Sequence, residues 1–315
     1  MHKCRSTADN NQSKQPLTVI PTTTIATTDS IAYRNFVNTC TSAKTRKDYE
    51  RSLHYYISYL SLELNKLKDQ SLYDYLAQQD PKIIQINICD YITYLRKHKN
   101  LSSKSIATYV SGVRKFYAMN DVTSLNWEKI HKFEPEDERR YEDRPYTREE
   151  LKKLLDKTNQ RNRAIILLLS SSGCRVGVIP TLRIRDLVPI DKYQIYKVIA
   201  YAKSNKSRYY TFCSPEARKE IDDYLAWRKR WNEKLTDDSP VFRQEFNLQK
   251  DSRVQNPKPL TVNSIGFIMN KLLKQTGIRQ VQPLIAGQYC GPRTEIQQLH
   301  GTRKYFETTA FKAGM

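Results

Sequence analysis

The sequence predicts a mainly α-helical chain with a small β-hairpin, an α+β arrangement in two domains, and three observations carry that prediction. Apolar residues recur at helical spacing on both sides of an acidic segment that ends in Pro145. A stretch near residues 193 to 212 is instead rich in β-branched and aromatic residues. The length, 315 residues, is about twice that of a usual domain.

Residues 1–29 are rich in Thr, Ser, Asn and Gln without a sustained period and predict a flexible tail, with room for a short strand at Leu17–Ile20. A helical domain is expected over 30–133. From about Lys44, Tyr49, Leu53, Tyr56, Ile57 and Leu60 line one face of a helix. Ile84, Ile88, Ile92 and Leu95 line a second, after Pro81. Ser102 or Ser103 caps a third, with Ile106, Tyr109, Val110, Val113 and Phe116 inward and Lys104, Arg114 and Lys115 elsewhere. Glu134–Arg144 carries six acids and three Arg and no aliphatic residue, so 134–145 reads as a linker.

The second domain, 146–315, opens with Thr147 and Glu150 as a capping box. Arg163–Ser171 is apolar nearly all round, a buried helix ended by Gly173, and Arg175 stands where another helix would begin. Tyr193–Tyr201 and Tyr209–Phe212 flank the turn-prone Lys203–Ser207 as a hairpin with a basic tip. Ser214-Pro215-Glu216 starts a helix that faces Ile221, Leu225 and Trp227 or Arg228 inward, and Thr261–Leu273 forms a further one.

Lys plus Arg number 53 against 33 Asp plus Glu, a net charge of +20, which calls for a polyanionic partner, nucleic acid first and an anionic membrane surface second. The longest aliphatic run, Ala164–Leu169, is far short of the roughly 20 residues a bilayer needs, and Met1–Arg5 runs into Ser, Thr, Asn and Gln without the apolar stretch of a signal peptide; a cytoplasmic, nucleoid-associated protein is expected. The six Cys form no C-x-x-C pair, so neither a disulfide framework nor a zinc site is expected. With no glycine-rich phosphate loop either, the expected cofactors and metals are none.

Four places carry chemistry. A helix from His300 sets His300 and Arg303 on one face, with Arg303 inside an apolar stripe of Leu299, Phe306, Ala310 and Ala313. A guanidinium there needs an anion, either a carboxylate of the chain or a bound phosphate. His300 alone reads first as a hydrogen-bonded core histidine. Arg175 is either a turn cap or an anion ligand aided by a helix start. Lys203 and Lys206, in a window from Lys192 to Phe212 with five bases and no acid, form either a solvated turn or a tip for a duplex groove.

Taken in order, these pieces resemble the tyrosine recombinases, or phage-type integrases, over nearly everything from Ser30 to Met315. Leu101–Ile106 is similar to the entry into the last long helix of the family's core-binding module. Gly173-Cys174-Arg175-Val176-Gly177 resembles the first arginine box, Ala202–Arg208 the hairpin with the catalytic lysine, and His300-Gly301-Thr302-Arg303-Lys304 the second box. The resemblance implies a core-binding domain followed by a catalytic domain, with Arg175, Lys203, His300 and Arg303 catalytic. It implies DNA contacts at Lys104, Arg114, Lys115, Lys206, Arg208 and Lys304, double-stranded DNA as partner, and self-association into a tetrameric synapse. Strands would be broken and rejoined through a 3′-phosphotyrosyl intermediate without metal or ATP.

Two positions depart from the pattern. Val178 stands where an acid is usual. The nucleophilic tyrosine belongs well past the second box, whereas Met315 is twelve residues after Arg303; Tyr305, on the same helix, reads as packing. The catalytic domain is therefore expected to be C-terminally incomplete, or the chain to be a catalytically inactive DNA-binding relative that occupies recombination sites. The stretch 279–299 is longer than usual and reads as an insertion. An RNA-binding or membrane-surface protein is the remaining reading, without a motif to support it.

Overall fold

The computed structural model describes residues 30–61, 72–136, 143–204, 207–245, 254–279 and 295–314. The tail, Lys206 and most of the 279–299 stretch lie outside them. The chain divides into two compact units, Met1–Asp137 and Glu138–Met315.

The described part of the first unit is helical: α1 Ile31–Asn38, α2 Ala43–Ser61, α3 Leu72–Ala77, α4 Pro81–Lys97, α5 Ser103–Met119 and α6 Trp127–His131. The starts are chemical. Asp80 accepts a hydrogen bond from the Lys82 amide ahead of Pro81, and Ser102, rather than Ser103, accepts from the Ser105 amide to open α5. α1 and α3, at eight and six residues, are too short to register as a period. Phe36, Leu53, Tyr56, Ile84, Ile92, Val113 and Phe116 are shut from solvent in one core. Its density depends on Gly112, where a Cβ would lie 2.6 Å from the Ser52 Cβ and 2.8 Å from the Tyr49 carbonyl oxygen, so α2 and α5 cross with main chain nearly in contact.

The second unit holds α7 Arg148–Asp156, α8 Gln160–Ser172, β1 Leu187–Ile190, β2 Ile195–Ala200, β3 Tyr209–Phe212, α9 Pro215–Arg230, α10 Val262–Gln275 and α11 His300–Lys312. The Thr147–Glu150 capping box is formed, and Gly173 ends α8 in the left-handed region at φ 62°. The expected hairpin is the β2–β3 half of a three-stranded antiparallel sheet, in which Leu187 pairs with Val198 and Val198 with Thr211. Tyr193 falls in a 3-10 turn over Asp191–Tyr193, outside the strands. β1 contains Pro189 and spans four residues, which hides it from a pattern search.

α9 differs from its expected face. Ala217, Ile221, Tyr224 and Arg228 are buried, while Leu225 and Trp227 are half-buried. Arg228 turns inward to Glu233, whose side chain is 1% exposed. The guanidinium donates to Glu233 Oε2 at 3.0 Å and to the Pro240 and Val241 carbonyls, and Arg243 Nη1 meets Glu233 Oε2 at 2.8 Å. A buried charge tolerates this only with such a full complement of partners.

Candidate functional site

The site grows from the end of α8. Its left-handed Gly173 is enforced by space as well as by φ, because a Cβ there would lie 2.2 Å from Cδ1 of Phe306 on α11. The Thr211 hydroxyl donates to the Ser172 carbonyl at 2.7 Å, and the Ser214 amide donates to the Ser171 hydroxyl, so β3 and the start of α9 are tied to the same corner. On the other side, Tyr146 closes against Gly301, where a Cβ would be 2.8 Å from the ring, and its hydroxyl donates to the Gln298 carbonyl at 2.8 Å. α11 is therefore wedged between Tyr146 and the Gly173 turn.

That wedging brings the two arginine boxes together. Arg303 Nη1 donates to the Gly173 carbonyl at 3.0 Å, two residues from Arg175, and Nε pairs with Glu307 Oε1 at 2.8 Å. Burial pushes the Cys174 thiol up from its ordinary value, while the charge of Arg303 pulls it down. The guanidinium is not inside an apolar stripe as expected: its side chain is 29% exposed, and Ala313 lies in solvent. The carboxylate alternative is realised by Glu307, an exposed group on its own helix, so the pairing leaves Arg303 accessible to an outside anion.

Arg175 is exposed and precedes a 3-10 turn of three residues, Val176–Val178, with no side-chain cap. No helix begins there, so the expected helix-start contribution to anion binding is absent. Val178, in the place of the usual acid, is completely buried in the core. An acid at this position would have been placed in an apolar cluster.

The hairpin reaches the first box through two tyrosines that the sequence did not single out. Tyr201 has φ 51°, and its hydroxyl lies 2.8 Å from where a Gly177 Cβ would be. Burial raises the Tyr201 and Tyr209 hydroxyls, and the charge of Arg175 acts against that rise at both. The rings meet at 6.2 Å. Lys203, two residues past Tyr201 in a turn closed by the Ser204 amide on the Tyr201 carbonyl, is exposed. Arg208 is also exposed.

His300 is the exposed first residue of α11, which excludes the core-histidine alternative. Lys304 donates to the Asp143 carbonyl at 2.9 Å and lies 3.6 Å from its carboxylate, so an internal partner already holds it. Tyr305 is half-buried against the small core of Tyr146, Leu154 and Leu273, as expected of packing. In the first unit, Lys104 and Arg114 are exposed on α5 and Lys115 is half-buried; Arg114 stacks over Trp127 at 4.9 Å. Among the described residues no group of three or more His, Cys, Asp or Glu could hold a metal ion, and no helix is long and apolar enough to cross a membrane.

No protein-family model matches the chain. Tyrosine recombinase XerC of Leptospira interrogans is 25% identical over 243 residues, covering 70% of this chain and 72% of that protein; XerC of Staphylococcus haemolyticus is 24% identical over 260 residues, covering 79% and 75%. Over most of its length the chain is similar in sequence to tyrosine recombinases. Its fold is that of solved recombinases: XerH bound to its difH substrate (TM-score 0.55, 17% identity, 89% of this chain and 72% of that one) and a lambda integrase dimer on a core site (0.53, 13%, 89% and 84%). The Tn1549 transposon integrase in complex with transposon end DNA is similar too, with a TM-score of 0.52 at 15% identity over 90% of this chain and 87% of that one.

Proposed function

We propose that the chain is a site-specific tyrosine-type recombinase or integrase that binds duplex DNA, with Arg175 and Arg303 as a shared clamp for one backbone phosphate. The observation that supports this is the Arg303 hydrogen bond to the Gly173 carbonyl, which holds the second guanidinium against the main chain two residues before Arg175. A phosphoryl transition state gathers charge on two non-bridging oxygens, and planar guanidiniums meet these with paired donors, each donor worth roughly 3 to 4 kcal/mol on the oxyanion-hole scale. Lys203, on an exposed turn next to Tyr201, is suited to protonate the leaving 5′ oxygen. His300, exposed at the start of α11, is suited to orient the phosphate. Lys104, Arg114, Lys115 and Arg208 hold the remaining backbone, and Lys304 joins them by exchanging Asp143 for a phosphate.

The relatives bear on the partners. XerH and the Tn1549 integrase were solved with DNA, and lambda integrase was solved as a dimer on a core site and as a tetramer on a Holliday junction. On that basis this chain is assigned the same duplex partner and self-association on it. The covalent step needs a tyrosine nucleophile, and Tyr305, packed against Tyr146 and Leu273, is unsuited to it. The second reading, occupancy of a recombination site without cleavage, rests on that packing.

Incubating the 315-residue chain with nicked duplex, followed by denaturing electrophoresis, tests the assignment. Duplex binding is expected, and its absence would overturn the assignment; a covalent band lost in Tyr305→Phe would overturn the reading of Tyr305. A binding curve insensitive to salt would overturn the duplex partner, because phosphate contacts release counterions.

A further inference from the structure

The outer face of the β-sheet takes no part in the site above. Cross-strand pairing sets Val188 beside Lys197 and Lys197 beside Phe212, with Ile199 beside Tyr210. These side chains share one face, since Val198, Ala200 and Leu187 are buried on the other. Tyr210 is 64% exposed, Phe212 45% and, at the sheet's end, Tyr193 59%. The Tyr210 and Phe212 rings lie 6.1 Å apart, and a monomer gains nothing by holding such a pair in water.

The charges around the rings identify an occupant. Lys197 Nζ stands 4.6 Å from the centre of the Tyr210 ring and Lys192 Nζ 5.3 Å from that of Tyr193. From Lys192 to Phe212 there is no acid. Asp191, which precedes this window, is engaged by Arg218 at 2.7 Å. A second copy of the face would set lysine against lysine. A polyanion with flat apolar groups satisfies both features, and the bases of a duplex are stacked on one another and offer only their edges.

We infer that the face built on Tyr210, Phe212 and Lys197 binds single-stranded DNA, unpaired bases stacking on the rings while Lys192 and Lys197 meet the phosphates. This goes beyond the duplex assignment and does not rest on it. The face lies on the same hairpin as Lys203 and Arg208, within a window that carries no acid.

The test is fluorescence-anisotropy binding of the intact chain to oligothymidylate, to mixed-sequence duplex and to anionic-lipid vesicles. Tyr210→Ala with Phe212→Ala should weaken oligothymidylate binding at least about tenfold and leave duplex binding within about twofold, stacking being a large share of single-strand affinity. Tyr210→Phe, which keeps the ring, should bind as the parent does, and Lys197→Gln should flatten the salt dependence; both also guard against misfolding of the double variant. Unchanged oligothymidylate binding in the double variant would overturn the inference. So would equal loss on duplex, which would make the face a duplex contact, or a loss confined to vesicles.

Discussion

The second unit contains two pairs of arginines with opposite fates. Arg228 and Arg243 are 0% and 3% exposed and converge on Glu233, with the Pro240, Val241 and Val254 carbonyls as further acceptors. Arg175 is exposed and forms no ion pair among the described residues, and Arg303 is shared between a carbonyl and a solvent-facing glutamate. Arginine carries its charge in both environments, so the difference lies in what is left over. The first pair has its partners built in and holds the chain after α9 to the core. The second pair keeps unspent donors beside the Gly173 turn, which is the condition for binding an outside phosphate.

Breaking the buried pair should give the largest effect. Glu233→Gln leaves two guanidiniums facing one neutral amide, and the loss should be about 3–5 kcal/mol, read as a lower melting temperature by scanning calorimetry. Unchanged melting would erase the distinction between the pairs. Gly173→Ala should follow, at about 1–3 kcal/mol, because it adds strain at φ 62° and forces Phe306 away. That shift should carry Arg303 off the Gly173 carbonyl and weaken duplex binding more than the stability loss explains.

Arg303→Ala should be the reverse of Glu233→Gln. Its exposed pairing with Glu307 predicts a stability cost under about 1 kcal/mol by urea titration, with the salt slope of duplex binding lower by about 1. A large stability loss would place Arg303 with the structural pair. The smallest effect is at Glu150, whose carboxyl the Arg144 guanidinium holds below the ordinary carboxylate value through contacts of 2.8 and 2.9 Å. With the folded value depressed, the stabilisation is present above the unfolded value, about pH 4.3, and is lost as pH falls through the folded one. Glu150→Gln should thus cost under about 1 kcal/mol at neutral pH and nothing in strong acid, since Arg144 is 38% exposed.

The helices α2, α4, α5 and α8 were legible because each buries a continuous face over more than three turns, and the caps at Ser102 and Thr147 are local chemistry. The segments around Arg175 and Arg303 could be singled out because each is a short contiguous stretch of sequence. Arg228 was ambiguous with Trp227 because one helix position decides it, and its partner Glu233 lies beyond the helix end. Tyr201 was expected only as the end of a strand, since a left-handed backbone is not a property of tyrosine.

From the sequence alone came the two-part helical organisation, the hairpin and the excess of cationic charge, all of which are written in contiguous periods and counts. Tertiary structure alone decided that α11 wedges between Tyr146 and Gly173, that Arg303 is accessible while Arg228 is sealed, and that Tyr210 and Phe212 share a face with Lys197. These depend on where separate segments meet, and burial and pairing exist only once such segments have met.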